Sequence, residues 1–341
     1  MIFLDTTRTG RAGHRSGLTR VTGRLGQALG DRARAVSWET LREAKPAPED
    51  WFFTAELFCE RERPGFRALL DQRPCRMAAL FHDAIPLRLP HITWPQSVAR
   101  HPDYLKLLSR FDRVWAVSAA SREELLGFWR WQRIDRVPLV EVLPLGADFD
   151  GASRRFAPSL PPRPLVLSVG ILEPRKNQDF LLDVCRQLWE SGLRFELHLA
   201  GRVNPHFGAP VLAKIRALQR RYPDLHFHES PPDDELATLI ERTRVMALPT
   251  IAEGCGLPVL ESLWRGVPCL ASDLPPIREN AVGGGCLCVK AGDADSWSFA
   301  LSRLLTDDEV WRRLAGDASS RALTTWADSA GVLAAALGDG R

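Results

Sequence analysis

Two glutamates flank a glycine-containing loop in the stretch PTIAEGCGLPVLE, residues 249–261. A predicted strand ends at about Leu248, and Pro258, which has a fixed φ and no N–H, suits the first turn of the helix that follows. Backbone N–H groups of such a loop, next to a helix N-terminus, bind an anion such as a diphosphate. Glu253 in the loop and Glu261 on the helix can accept hydrogen bonds from different hydroxyl groups of one elongated ligand. The alternative is a tight glycine turn, followed by a helix that gains from a negative charge near its N-terminus.

Two cations follow a second predicted strand. Arg175 and Lys176 stand in GILEPRKN, residues 170–177, which comes directly after the apolar run LVLSV at 165–169. Cations at that end of a strand complement a diphosphate. A solvated basic turn with Asn177 as the helix N-cap is the alternative. Because both stretches lie at the same edge of one predicted sheet, the pattern favours an anion site.

The second half of the chain alternates strand and helix patterns. Apolar runs predict strands at 165–169, 195–200, 226–228, 245–248 and 268–271, and helical periodicity predicts helices at 177–191, 210–222, 233–242 and 257–265. This alternation indicates βαβ units and a mainly parallel sheet that is covered on both faces.

The first half shows the same rhythm more weakly. It predicts strands at 2–4, 35–38, 51–54, 77–81, 114–117 and 140–143, and helices at about 16–29, 97–109 and 119–131. A stretch with four prolines, residues 149–164, predicts a linker, and only helix patterns follow residue 292, the last of them at 326–337. We therefore predict an α/β chain of two doubly wound domains, residues 1–155 and 156–325, with ligands in a cleft at the carboxyl ends of the two sheets.

The motifs together resemble those of glycosyltransferase family 4. Glu253 and Glu261 match the E-x7-E motif of retaining glycosyltransferases, and EGCGLPVLES with GVP at 266–268 looks like the family's EGFGLPxLEAxxxGxPV signature. The segments VGILEPRKN, HLAG and SPPDDEL occur in the family's order. The resemblance covers residues 165–325. It implies the GT-B fold, with an N-terminal acceptor domain, a C-terminal nucleotide-sugar domain and a final helix, 326–341, that packs back on the first domain.

Matches in the first half of the chain are weaker. SGLTRV, after the first predicted strand, resembles the family's glycine loop, and its Gly17 and Arg20 would approach donor and acceptor. A simple helix start capped by Ser16 is the alternative. FHDAIP resembles the family's HDxxP segment, in which the histidine lines the reaction centre; here that histidine is His82. A structural histidine is the alternative, and Asp83, an acceptor ligand in this reading, fits a loop cap equally well.

The resemblance implies roles for single residues. Glu253 would orient the sugar hydroxyls and Glu261 the ribose, while Lys176, Arg175 and loop amides would stabilise the leaving diphosphate. The implied catalytic residues are His82, Glu253 and Lys176; the implied donor-binding residues are Gly17, Arg175, Lys176, Ser230, Glu253, Gly254, Cys255, Gly256, Leu257 and Glu261; and the implied acceptor-binding residues are Arg20 and Asp83.

Two positions depart from the family's pattern. Many members carry an arginine directly after the glycine that ends the first strand of the donor domain, where this chain has Ile171. The aromatic residue of the family's glycine loop is Cys255 here. The phosphate clamp must then rest on Lys176, Arg175 and backbone N–H groups.

The reaction implied is transfer of a hexose from a nucleoside diphosphate sugar to a hydroxyl group, with retention and an α-linked product; mannose is our guess for the sugar. The family is thought to let the leaving phosphate accept the acceptor's proton, so no enzyme nucleophile is needed. We find no DxD-type metal site and no GxGxxG fingerprint, and we expect no metal and no cofactor besides the donor. The alternatives are a catalytically silent GT-B scaffold, which Ile171 favours, and a GT-B nucleotide-sugar epimerase, a class that lacks the 253–261 signature.

Composition limits the remaining classes. The 341 residues are 45% hydrophobic and 26% charged, which argues against global disorder, and a net charge of +3 is too small to indicate nucleic-acid binding. Seven cysteines without a CxxC pair indicate reduced thiols. The first residues, MIFLD, lack the basic start of a signal peptide, and no apolar run is long enough to span a membrane, so we expect a cytoplasmic protein.

The acceptor is the least specified partner. A glycan or a polyprenyl-linked glycan fits the resemblance, as in bacterial O-antigen (lipopolysaccharide) or exopolysaccharide assembly. Arginine-rich helices in the first half permit peripheral contact with the anionic inner face of a membrane. A solvated basic face explains the same residues.

Overall fold

A computed structural model describes residues 1–11, 16–148, 153–154, 159–161 and 163–338. The chain divides into two compact units: the first unit is Met1–Phe149 with Thr324–Arg341, and the second unit is Asp150–Leu323. Most of the predicted linker, 149–164, lies outside the described residues. None of the described helices has the length and apolar character that crossing a bilayer requires.

The first unit is built on a six-stranded parallel sheet with the order β2-β1-β3-β4-β5-β6. Its strands are β1 Ile2–Asp5, β2 Ala33–Val36, β3 Trp51–Thr54, β4 Arg76–Phe81, β5 Arg113–Ala116 and β6 Leu139–Val142. Its helices are α1 Gly17–Leu29, α2 Trp38–Ala44, α3 Phe66–Gln72, α4 Ile85–Arg88, α5 Pro95–Leu108, α6 Ala119–Trp131 and the terminal α14 Trp326–Gly338.

The predicted strands of the first unit are confirmed, with one correction at the end of β2. The sequence predicts strand through residue 38, but Trp38 begins α2. Ser37 caps that helix, since its side chain accepts a hydrogen bond from the Thr40 N–H and the Thr40 hydroxyl bonds back to the Ser37 N–H. The sequence analysis also missed α2 and α3, because seven residues are too few to display a helical period.

The second unit contains a second six-stranded parallel sheet, with the order β12-β11-β10-β7-β8-β9. Its strands are β7 Leu165–Val169, β8 Glu196–Ala200, β9 Leu225–His228, β10 Val245–Leu248, β11 Cys269–Ser272 and β12 Cys286–Val289. Its helices are α7 Gln178–Glu190, α8 Ala209–Gln219, α9 Asp233–Arg242, α10 Leu257–Trp264, α11 Pro275–Ala281, α12 Ala294–Thr306 and α13 Asp308–Ser320.

All five strands predicted for the second unit are confirmed, and the fold class is the predicted doubly wound α/β. The sequence analysis missed β12 and α11. Strand β12 lies at the edge of the sheet and is only partly buried, so its sequence CLCV has no long apolar run to mark it. Helix α11 begins with two prolines, which mask its periodicity.

Strand order places one pair of loops in the second unit at a point where ligands bind in such sheets. The chain passes from β7 outward to β8 and β9, then returns to the other side of β7 with β10 and continues to β11 and β12. Loops that follow neighbouring strands on either side of such a reversal leave a crevice between them. In this unit those are the loops after β7 and after β10, which carry the predicted anion site.

Helix α14 packs on α1 of the first unit, next to the turn at residues 144–148. The Ala147 N–H donates to the Thr324 carbonyl at 2.9 Å, and the Trp326 N–H donates to Asp148 Oδ1 at 2.8 Å. Gly146 allows this close approach, because a Cβ there would lie 2.4 Å from the Trp326 nitrogen. The predicted terminal helix at 326–341 is therefore present through residue 338, and its last three residues lie outside the described residues.

Gly146→Ala should lower the free energy of unfolding by roughly 1–3 kcal/mol, because the added Cβ meets backbone that cannot swing aside. Gly127→Ala in the middle of α6 is the matched control. Its Cβ meets only the Arg130 guanidinium, at 3.9 Å, so the helix propensity of alanine should raise stability by about 0.5–1 kcal/mol. Urea unfolding followed by tryptophan fluorescence measures both variants. Equal stabilities would contradict the close packing of α14 on the turn.

Candidate functional site

The loops after β7 and β10 are bonded to each other. The side chain of Asn177 donates to the Pro249 carbonyl at 3.2 Å, and the Arg175 carbonyl accepts from the Ile251 N–H at 2.9 Å and from the Thr250 hydroxyl at 3.0 Å. Asn177 itself has a left-handed backbone, φ 53°, and occupies the N-cap position of α7 without a side-chain cap bond. Its side chain bonds the loop after β10 instead of capping the helix.

Glu253 lies between the two predicted cations. Lys176 Nζ is 2.6 Å from Glu253 Oε1, and an Arg175 guanidinium nitrogen is 3.3 Å from Glu253 Oε2. Arg175 also pairs with Glu173 at 2.8 Å. The Glu253 side chain is 8% exposed and that of Lys176 13%, so this is a buried ion pair with a second cation at its rim. The structure thus brings together three residues that the sequence analysis assigned to the site.

Burial and charge act in opposite directions on these groups. Burial raises the pKa of Glu253, but the nearby Lys176 and Arg175 charges outweigh it and hold the pKa below the usual value for a glutamate. Burial lowers the pKa of Lys176, and Glu253 offsets part of that change. Glu253 is therefore an ionised carboxylate with a fixed orientation at neutral pH.

The loop that leads into α10 is shaped by a left-handed glycine and held by a hydrogen bond from α11. Gly256 adopts φ 81° at the N-cap, and a Cβ there would lie 2.4 Å from Ile277 Cδ1, so glycine is required on both counts. Pro258 stands in the first turn of α10, as predicted. Asn280 fixes the loop by donating to the Cys255 carbonyl at 2.6 Å.

Two predicted donor residues in this loop and helix have buried side chains. Burial raises the pKa of the Cys255 thiol to about 12, so this side chain is an inert apolar wall and only its backbone can meet a ligand. Glu261 is the fifth residue of α10 and is 7% exposed. Leu257 opens the helix and is partly buried.

Ser230 lies beyond the carboxyl end of β9, and Ile171 lies beyond that of β7. Ser230 is exposed, in a left-handed conformation with φ 52°, between β9 and α9. Ile171 follows β7, and its carbonyl accepts a hydrogen bond from the Gln178 side chain at 2.9 Å. The loop after β7 therefore carries an apolar side chain where the family's pattern has a cation.

In the first unit, His82 follows β4 and bonds to the end of β3. Its Nε2 lies 2.8 Å from the Ala55 carbonyl. Because a carbonyl only accepts, Nε2 carries a proton, and a neutral ring then has its lone pair on Nδ1. Burial lowers the pKa of His82, which favours this neutral form. The ring can accept a hydrogen bond from a ligand hydroxyl through Nδ1.

Three further predicted residues of the first unit differ in their exposure and contacts: Asp83, Gly17 and Arg20. Asp83 accepts from the Ile85 N–H at 3.0 Å, which is the loop-cap geometry, and its carbonyl bonds His101 Nε2. Gly17 is the exposed first residue of α1, and Arg20 lies one turn further and is partly buried. Ser16 caps α1 through its bond from the Thr19 N–H.

Sequence reasoning missed a buried carboxylate that holds the loop after β1. Glu56 accepts from the Arg8 N–H at 2.9 Å and from the Thr9 N–H at 2.7 Å, and it pairs with Arg63 at 2.9 Å. Arg63 also pairs with Asp5, and both side chains are at most 1% exposed. Burial, with the nearby Asp5 charge, raises the pKa of Glu56. In sequence these charged residues stand in TAELF and ERERPGF, and nothing in their spacing links them to each other or to Asp5, so no signal marked them as buried.

The second unit matches a family model. Residues 152–321 match the model described as "Glycosyl transferases group 1". The serotype-specific mannosyltransferase WbdA of Escherichia coli is 26% identical over 214 residues, 59% of this chain and 26% of that protein. O-antigen chain mannosyltransferase B of Escherichia coli is 32% identical over 150 residues, 44% of this chain and 38% of that protein. A D-inositol 3-phosphate glycosyltransferase of Nocardia farcinica is 26% identical over 256 residues, 69% of this chain and 54% of that protein. The chain thus spans about a quarter to about half the length of these relatives.

Solved structures share the fold along the whole chain. Sucrose-phosphate synthase from Thermosynechococcus elongatus has a TM-score of 0.76 at 19% identity and covers 100% of this chain and 99% of its own. Anabaena Alr3699/HepE in complex with UDP has a TM-score of 0.71 at 16% identity and covers 99% of each chain. These similarities show the predicted GT-B fold of two parallel α/β sheets.

Replacing one partner of the buried ion pair should destabilise the second unit. Lys176→Met leaves Glu253 with Arg175 alone, and Glu253→Gln leaves Lys176 without its carboxylate, so each should lower the free energy of unfolding by up to roughly 3 kcal/mol. The double variant should lose much less than the sum, because neither charge is left behind. Denaturant unfolding of the four proteins measures the coupling.

The more exposed pair of Lys214 and Asp183, 2.8 Å apart with side chains 27% and 44% exposed, is the control for this cycle. Solvent screening limits such a pair to at most about 1 kcal/mol of coupling. Additive losses at Lys176 and Glu253 would show that the two side chains do not form a buried pair in solution.

Proposed function

The chain belongs to the group 1 glycosyltransferases, and from this premise we propose that it transfers a hexose from a nucleoside diphosphate sugar to a hydroxyl group of a glycan. The observation that carries the proposal is the convergence of Lys176, Arg175 and Glu253 on the loops at the point of strand reversal in the second unit. Such a point binds nucleotides in other doubly wound sheets.

The proposed chemistry places most demand on the leaving diphosphate, where negative charge grows as the C–O bond breaks. Lys176 and Arg175 would stabilise it, together with the N–H groups at the start of α10. An ammonium group has three N–H donors, so Lys176 can hold Glu253 through one of them and donate to phosphate oxygens through another, while Arg175 adds its positive charge. Fixed donors of this kind need no reorganisation during the reaction.

The two glutamates and His82 would orient the sugar nucleotide. Glu253, ionised and held by Lys176, can accept hydrogen bonds from sugar hydroxyls, and Glu261 from those of the ribose. Neutral His82 would accept a hydrogen bond from the sugar through Nδ1. The family's retaining mechanism, in which the leaving phosphate takes the acceptor's proton, would need no further enzyme base.

The relatives' names support mannose as the sugar and a polysaccharide as the product. Two of the relatives are named mannosyltransferases, one for an O-antigen chain and one serotype-specific. We therefore propose GDP-mannose as donor and a growing glycan, free or polyprenyl-linked, as acceptor, in a bacterial cytoplasm or at the inner face of its membrane. A UDP-sugar is the rival donor, because HepE, which shares the fold, binds UDP.

A catalytically silent nucleotide-sugar-binding scaffold is the second candidate, because Ile171 removes a cation from the loop after β7. Such a protein would bind the donor and transfer nothing. Binding and transfer must therefore be measured separately.

GDP-mannose should raise the melting temperature more than UDP- or dTDP-sugars, since a ligand at 100 times its Kd stabilises by about 2.7 kcal/mol. Lys176→Met should lower kcat/KM roughly 30- to 1,000-fold, because it loses a contact that strengthens in the transition state. Glu261→Gln should lower kcat/KM roughly 10- to 100-fold, because it loses a charge-assisted hydrogen bond to the ribose. Assays run well below the transition temperature of each variant, and Lys214→Met on α8 is the control for loss of a lysine in the same unit.

Transfer should also continue in EDTA, since two cationic side chains stand at the proposed phosphate site. Restoration of lost activity by magnesium or manganese would show that the phosphates need a metal. If Lys176→Met transferred sugar as fast as the parent, Lys176 would not stabilise the leaving diphosphate. If the parent bound a donor without transferring its sugar, the silent scaffold would be favoured over the transferase.

His82→Gln should lower kcat without weakening affinity for the free nucleoside diphosphate, because His82 would touch the sugar and not the phosphates. Glutamine can keep the bond to the Ala55 carbonyl but lacks the ring's Nδ1 acceptor. In the parent, kcat should not fall as pH drops through about 6.5, the ordinary histidine pKa, because the pKa of His82 is lowered and the neutral ring persists. Calorimetry with GDP and a kcat pH profile measure these effects.

The product from an α-linked donor should itself be α-linked, which the one-bond carbon–proton NMR coupling at the anomeric carbon reports. A β-linked product would overturn retention. Full turnover in His82→Gln would return His82 to a structural role.

A further inference from the structure

Three histidines and two glutamates form a cluster on one face of β8 and β9 and on α9. Side chains alternate along each strand, so Leu197 and Leu199 of β8 enter the core on one face while Glu196 and His198 lie on the other. His226 is the register partner of His198 on the edge strand β9. The site described above lies at the loops after β7 and β10, whereas this cluster lies along the strands.

Four of these side chains form a continuous chain of contacts. Glu196 Oε2 lies 3.1 Å from His198 Nε2, His198 Nδ1 lies 2.9 Å from His228 Nε2, and His228 Nδ1 lies 2.6 Å from Glu235 Oε1 on α9. Both ends of the chain are carboxylates, and the two links between them are imidazoles. Each of the three contacts needs one proton or cation between its two atoms.

Two neutral imidazoles supply only two N–H protons for three contacts. If Glu235 accepts from His228 Nδ1, then His228 Nε2 accepts from His198 Nδ1, and the lone pair of His198 Nε2 faces the carboxylate of Glu196. With the opposite tautomers, His198 Nε2 donates to Glu196 and His228 Nε2 donates to His198 Nδ1. The lone pair of His228 Nδ1 then faces the carboxylate of Glu235. One cation is therefore missing from the chain, and it is either a shared proton or a metal ion.

His226 distinguishes these two solutions. Its ring lies 4.4 Å from that of His198 between centroids, and one ligand atom from each of Glu196, His198 and His226 lies within 4.8 Å of the others. A shared proton has no use for this third group, whereas a metal needs it. We propose that Glu196, His198 Nε2 and His226 bind a divalent transition metal of the zinc class, with water as a fourth ligand.

The surrounding groups fit such an ion. His228 and Glu235 form the outer relay that fixes the tautomer of His198, an arrangement that commonly supports a metal-bound histidine. Arg163 and Arg242 hold Glu196 at 2.8 and 3.2 Å. Asp224 balances Arg163 at 2.6 Å, and Glu235 adds a further negative charge nearby. The described charged side chains of this cluster therefore have a net charge of about −1, and a bound divalent ion would change it to about +1.

The ion would link neighbouring elements of the second unit. It would join the edge strand β9 to β8, and through Glu235 it would hold the start of α9, which follows the loop that contains Ser230. Edge strands have hydrogen-bond partners on one side only, so a metal link across the last pair would stabilise the strand that has the fewest backbone partners. It takes no part in the proposed transfer reaction.

Calorimetry with zinc chloride tests the site on the full chain, with any purification tag removed and the protein dialysed against metal-free buffer. We expect about one zinc ion per chain, confirmed by elemental analysis, and a higher melting temperature with zinc. His226→Gln should abolish both effects. Glu235→Gln, which changes only the outer relay, should weaken zinc affinity about 10- to 100-fold.

His206→Gln, at an exposed histidine outside the cluster, should bind zinc like the parent. If the parent binds no zinc, the chain of contacts holds a shared proton and the metal site is wrong. Zinc binding that His226→Gln leaves unchanged would likewise overturn the site. Metal content and melting temperature do not depend on transferase activity, so these outcomes stand apart from the proposed function.

Discussion

The ion pair between Glu253 and Lys176 joins the two loops on which the site of the second unit depends. Strand order brings these loops together, but order alone leaves backbone that can move. A buried carboxylate that bonds a lysine and an arginine from the other loop removes that freedom, because any separation would leave charge buried without a partner. Side-chain hydrogen bonds from Asn177 and Thr250 to backbone carbonyls then fix the same two loops at their bases. Burying these two charges costs desolvation free energy, and in the folded protein it fixes the positions of the two loops.

The first unit solves a similar problem with different residues. Its strand order reverses between β1 and β3, and Glu56, from the loop after β3, accepts two backbone N–H groups from the loop after β1. Arg63 pairs with both Glu56 and Asp5, in a position closed to solvent. In both units a carboxylate from one loop therefore organises the loop across the point of reversal. The two carboxylates differ in their partners. Glu253 is held by cations of the kind that bind anionic ligands, whereas Glu56 accepts hydrogen bonds from backbone N–H groups.

Sequence reasoning succeeds where a single local signal decides the structure. The run LVLSV, the proline that opens α10 and the glutamates at 253 and 261 each report on a few adjacent residues, and the strands, helix and loop follow from them. It fails where partners come from distant segments. Arg63 reads as one charge among several in ERERPGF, and its burial depends on Asp5 and Glu56 from two other loops. The histidines on β8 and β9 share this difficulty, since an alternating E-x-H and H-x-H are unremarkable until the strands pair.

The charge around Lys176 shapes how an anion would bind. Arg175 and Lys176 face the carboxylates of Glu173 and Glu253, so these four side chains sum to zero. A diphosphate would therefore meet an array of donors with no net positive charge behind it, and Ile171 supplies no further cation. Its binding must come from directed hydrogen bonds, from the N–H groups at the start of α10 and from the Lys176 ammonium group. Such a site favours a ligand whose oxygens match the donors in position over one that is only negative, which suits selection of a nucleoside diphosphate among the anions of a cell.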